Sequence, residues 1–169
     1  MVAIAADAVW RQRIAAAAGA AGATVTDPAP GVLSCAPGTL SLLVPLIKAD
    51  PVSARPRIPT VGAHTDSIAD RELRDAVADV AALLSLHGTV ILDLDAGRSR
   101  WRRTPRPDIV VSSGHHGPQW TDMAVSIPVG VDSDGAPITA LLTATPGFEH
   151  ILLELARIVE LDQRPARAA

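Results

Sequence analysis

Between Ala124 and Leu161 the chain spells out its local geometry. Two short apolar runs, Ala124 to Val129 and Ile138 to Leu142, flank the acidic turn DSDG, and a stretch of helical periodicity, Gly147 to Leu161, follows them. Asp134 and Gly135 are a strong hairpin signal, because glycine tolerates the positive φ that tight hairpin turns require. The two runs are therefore predicted to pair antiparallel. The helix after them places Ile151, Leu152, Leu155, Ile158 and Val159 on one face, with Glu149, Arg157 and Glu160 off it. With two further predicted helices and several buried strands, the pattern predicts an α/β (or α+β) fold: a single mixed sheet, this hairpin, and about three helices packed on it.

The size suits one core. A chain of 169 residues buries roughly two-thirds of its unfolded surface, and residues 1–163 are expected to form one domain, with 164–169 a disordered tail. Hydrophobic residues make up 48% of the chain but aromatic residues only 2%, with no Tyr. The centre must be aliphatic. A net charge of -3 gives no pull toward nucleic acid or an anionic membrane surface. No run of 18 uncharged apolar residues is present, so no membrane span is predicted. Cys35 is the only cysteine, which excludes an intrachain disulfide and a four-cysteine zinc site; a reducing cytoplasm is the simplest setting. The apolar start of the chain is broken by Asp7 and Arg11 and lacks a positive n-region, and it is expected to be an ordinary helix rather than an export signal.

Along the chain, Ala3 to Ala17 is rich in helix formers and predicts a first helix stopped by Gly19 and Gly22. Thr24 to Thr26, Val32 to Ser34 and Leu40 to Val44 are short extended candidates between prolines and glycines. Ala49 to Pro59 is the most linker-like composition. Ser67 to Leu86 predicts a helix capped by Asp66 or Ser67, with Ile68, Leu73, Val77, Val80 and Leu84 at helical spacing. Thr89 to Leu94 and Asp108 to Ser112 read as buried strands.

The run AVSIPVGVDSDGAPITALLTATPGFEHILLELARIVE resembles the C-terminal region of the amidase signature family over Ala124 to Glu160. The features that carry the resemblance are Pro128, Val129 and Gly130, the Asp134-Gly135 turn, Pro137 at the return strand, and Leu152, Leu153, Leu155 and Ala156 in the helix. The resemblance implies a fold element. That family's catalytic Ser, cis-Ser, Lys triad sits in a Gly/Ser-rich loop, and no such loop is found in this chain. Lys48 is the only lysine and Ser112 with Ser113 the only serine pair, in positions that do not match the family's catalytic core.

Other chemistry is offered by histidines. GAHTDS holds His64 and Asp66, and SSGHHGP holds His115 and His116 in a loop directly after a buried strand. Imidazole and carboxylate are suitable zinc ligands, and two or three of them with a water make a hydrolytic centre. Asp93, Asp95 and Asp108 are available acidic partners that spacing does not select. Arg98, Arg100, Arg102, Arg103 and Arg106 surround Trp101; Trp101, Arg102, Arg103 and Trp120 are the candidates for holding a ligand or partner. Cys35 has no base near it in sequence and is expected to be a buried small hydrophobe.

The leading expectation is a non-catalytic accessory or interaction subunit without a cofactor, forming a homo-oligomer or binding a larger protein partner. Two alternatives stand beside it. One is a zinc-dependent hydrolase of amide or peptide bonds using His64, Asp66, His115 and His116; the other is a small-molecule sensor domain that binds beside the hairpin.

Overall fold

The computed structural model of the chain describes residues 1–47, 59–63, 65, 68, 70–93, 107–113 and 123–163. Eight strands, β1 (Val2–Ala6), β2 (Val25–Ala29), β3 (Val32–Cys35), β4 (Thr60–Ala63), β5 (Val90–Asp93), β6 (Ile109–Ser113), β7 (Met123–Val131) and β8 (Pro137–Ala144), form one mixed sheet. Their spatial order is β2-β3-β1-β7-β8-β6-β4-β5. The helices are α1 (Ala8–Ala21), α2 (Leu40–Leu43), α3 (Arg71–Leu86) and α4 (Glu149–Asp162), and a 3-10 turn, Val44–Leu46, extends α2.

Period-two alternation decides which side of the sheet is covered. Val2 stands opposite Cys35 and Ile4 opposite both Leu33 and Val125, while Val125 faces Leu142, which in turn faces Val111. All of these side chains are buried. Over them α1, α2, α4 and α3 touch one another in that order as one layer, closing an aliphatic core that includes Ile14, Leu43, Leu84, Leu152 and Leu153. Each fully buried Leu or Ile of this kind contributes about 2 kcal/mol through the apolar surface removed from water.

The mixed sheet and its C-terminal hairpin agree with the sequence, and local differences have physical reasons. The predicted first helix starts as β1 instead, because Val2 and Ile4 alternate into the core and β1 is paired on both edges. Asp7 then caps α1 by accepting the Trp10 N–H at 2.8 Å. Leu40 to Val44 is helical rather than extended, which lets Leu40, Leu43 and Val44 all face the interior. The helix predicted from Ser67 begins at Arg71, capped by Asp70 through the Leu73 N–H at 3.1 Å. The linker-like stretch 49–58 and the tail 164–169 lie outside the described residues.

The hairpin is longer than two residues at its turn. Asp132 organises a loop of 132–136: its Oδ1 accepts the Asp134 and Ala136 N–H groups at 3.0 and 2.7 Å, and Gly135 takes φ 81°. Pro128 sits where the β7–β8 register shifts and beyond the last β1 pair at Ser126, so its missing N–H costs no bond to β1. On α4, Glu149 and Glu160 are buried rather than facing solvent, at 8% and 4% exposure.

Candidate functional site

Strand β4 lies between β5 and β6 and runs parallel to both. Ala63 is therefore beside Asp93 on one side and Val111 on the other. The chain passes from β4 to β5 through α3, as parallel neighbours require, and then returns past β4 to β6 on its far side. The connection that leaves β4 thus goes one way across the sheet, to β5, and the one that leaves β6 goes the other way, to β7; their boundary is a topological switch point, and in open α/β sheets ligands bind outside the carboxyl ends of the strands there.

The same edge gathers other elements. Ser113 pairs with Ala140 near the start of β8, so the 132–136 turn projects from this edge as well. The first turn of α3 is tied to it, because Glu72 Oε2 accepts the Ser133 N–H at 3.0 Å. Ser112 and Ser113, the last residues of β6, are buried at 3% and 2% exposure.

Of the sequence candidates, His64, Asp66, Trp101, Arg102, Arg103, His115, His116 and Trp120 lie outside the described residues, as do Lys48 and Asp95. Among the described residues no group of three or more His, Cys, Asp and Glu side chains is placed to hold a metal ion. No helix among them is long and apolar enough to cross a membrane.

Asp108 is removed from the list of acidic partners by its place in the fold. It precedes β6, at the opposite edge from Ser113, where its Oδ2 accepts both the backbone N–H and the hydroxyl of Thr60 at 2.9 Å. Its own N–H and carbonyl bond Thr60 and Thr145. It is a structural clamp between β4, β6 and the end of β8. Nothing in the sequence pairs Thr60 with Asp108 across 48 positions; only the parallel register does.

Cys35 is buried, as its small apolar character led one to expect, at 3% exposure. Burial, reinforced by the Glu160 carboxylate, pushes its thiol up to about 11. It is protonated at neutral pH and not poised as a nucleophile.

No family model matches the chain, and no curated protein matches it. Solved structures do. Two of them are of a 6-aminohexanoate cyclic dimer hydrolase, an amidase-signature enzyme, one complexed with substrate; each superposes with a TM-score of 0.53 at 14% identity. The match covers 94% and 96% of this chain and 60% of the hydrolase chain. It shows a fold like that of the hydrolase over most of this chain.

Proposed function

We propose that this chain is a non-catalytic accessory domain of amidase-like fold that engages a small ligand at the switch-point edge of its parallel strands. The strand order β5-β4-β6 carries the reading, since the opening between the carboxyl ends of β4 and β6 is where such sheets take up ligands. The sequence adds the chemistry. His64 directly follows Ala63 of β4, and His115 lies two residues after Ser113 of β6. Val9, Leu42 and Leu46, exposed on α1, α2 and the 3-10 turn, supply apolar surface for a second copy or a larger protein partner.

A second reading uses the same edge. There His64, Asp66, His115 and His116 would hold zinc, which would supply an activated water for amide hydrolysis. The two are separated by one titration with the 6-aminohexanoate cyclic dimer as probe, monitored by backbone amide NMR and by product assay. Shifts confined to Val61–Ala63 and Val111–Ser113 without turnover are the expected result. Turnover lost on Lys48→Met or Ser113→Ala would overturn the non-catalytic reading in favour of a serine amidase; turnover lost only on chelation or on His64→Ala would establish the zinc hydrolase. Shifts elsewhere would reject the switch-point edge.

A further inference from the structure

The solvent side of α1 differs from that of α3. Its exposed positions, 8, 9, 12, 15, 16, 19 and 20, hold only Ala, Val, Gln and Gly, whereas α3 exposes Arg71, Glu72, Asp75 and Asp79. The two charged side chains that α1 does carry are turned aside. Arg11 is ion-paired with Asp27 of β2, and the Arg13 guanidinium lies 5.0 Å over the Trp10 ring.

The uncharged surface continues past α1. Val9 is 58% exposed, and Leu42 and Leu46, at 56% and 48%, stand on α2 and the 3-10 turn, both of which touch α1. Large aliphatic side chains left in water forgo the burial that drives folding and association. Helix α1 is about 21 Å long at 1.5 Å per residue, and with a neighbouring helix at roughly 9 Å the plate offers on the order of 500 Å² per copy, at the lower end of specific interfaces once both sides are counted. Gly19 adds a second anomaly. Glycine weakens a helix relative to alanine, yet a Cβ added at Gly19 would meet nothing within 4 Å, so no packing inside the chain requires a bare backbone there. A close approach from outside does.

The order of side-chain sizes along α1 says what makes that approach. The larger exposed groups, Val9 and Gln12, lie in its first half, and the smallest, Gly19 with the C-cap Gly22, lie at its end. An antiparallel copy of the same helix, turned about an axis between Ala15 and Ala16, sets Gln12 against Gly19 and Val9 against Gly22, while the alanines meet at the centre. Large faces small at every step, and no charge meets its own image. A two-fold contact needs this kind of self-complementary patch. The arrangement also places the amino end of each α1 beside the carboxyl end of the other, where the helix dipoles attract.

We propose that this face is where two copies of the chain meet, α1 packed antiparallel on α1 with Leu42 and Leu46 at its flank. The proposal names the occupant of the apolar surface in the function proposed above and does not depend on the ligand edge.

Sedimentation equilibrium on the full chain, over a concentration series, tests it. The mass is expected to rise toward twice 17.5 kDa, and Ala16→Glu and Gly19→Glu, both at exposed positions, should each hold it at one chain while circular dichroism is unchanged. Ala16→Cys, beside the axis and within disulfide reach of its counterpart, should give a covalent dimer on mild oxidation. Ala82→Cys, exposed on α3, should not, and the native Cys35 is buried. A monomer at every concentration, a dimer that survives both glutamate variants, or cross-linking at position 82 as strong as at 16 would each overturn the interface. None of these positions belongs to the switch-point edge, so a failed dimer leaves the ligand reading standing, and absence of ligand binding leaves the dimer.

Discussion

The two edges of the sheet treat buried carboxylates in opposite ways. At the entry edge of β4 and β6, Asp108 is 6% exposed and its Oδ2 accepts two hydrogen bonds from Thr60. At the other edge, Glu160 is buried to a similar degree, yet one of its oxygens has no partner. A fully satisfied buried charge is part of the scaffold; a half-satisfied one is held at a cost. The chemistry-bearing words of the sequence follow strands that end at that second edge.

The comparison breaks first at Asp108. Its replacement by alanine removes the charged acceptor of the half-buried Thr60 N–H and hydroxyl, and a loss of about 3 kcal/mol in unfolding free energy is expected by denaturant titration. A loss below about 1 kcal/mol would show that the clamp is not scaffold.

Nearly as large is an alkaline effect at Cys35. Its folded pKa is raised from 9.0 to about 11, so the unfolded chain releases the proton first as pH rises. The stability contribution is whole below pH 9.0, falls through the interval and is lost above about 11, a change of roughly 3 kcal/mol. Cys35→Ala should remove that part of the slope; an unchanged profile would mean that the thiol is not held protonated by its surroundings.

Gly135→Ala sharpens the comparison at the turn. The residue sits at φ 81° with nothing within 4 Å of an added Cβ, so the cost is conformational alone, about 1 kcal/mol, readable as a small drop in melting temperature. Smallest is Glu160→Gln. The amide oxygen still accepts from Gly38, and a change of less than about 1 kcal/mol in either direction is expected, against a clear loss for Asp108→Asn in the same assay.

What the sequence made legible was what local chemistry determines. Alternation and the Asp-Gly turn located the hairpin, and 3.6-residue periodicity located α3 and α4. What it obscured depends on partners distant in the chain. Val2–Ala6 reads as helix from propensity, and only its pairing with β3 and β7 makes it a strand. Glu160 shares the buried face of α4 with Leu153 and Ala156, but its charge hides that from the hydrophobic pattern; its acceptor role comes from Gly38, 122 positions away. The candidate site was half legible, as histidine words after predicted strands, but the order β5-β4-β6 that gives their setting meaning is invisible without the sheet.

The position of β1 also bears on how the chain is made. Its two neighbours are β3, which follows soon after it, and β7, which begins at Met123. During synthesis β1 keeps one edge open until β7 has left the ribosome. An unpaired strand whose Val2 and Ile4 belong in the interior is a template for pairing with other nascent chains, so slowed translation before Met123 should raise the yield of aggregate without altering the finished fold.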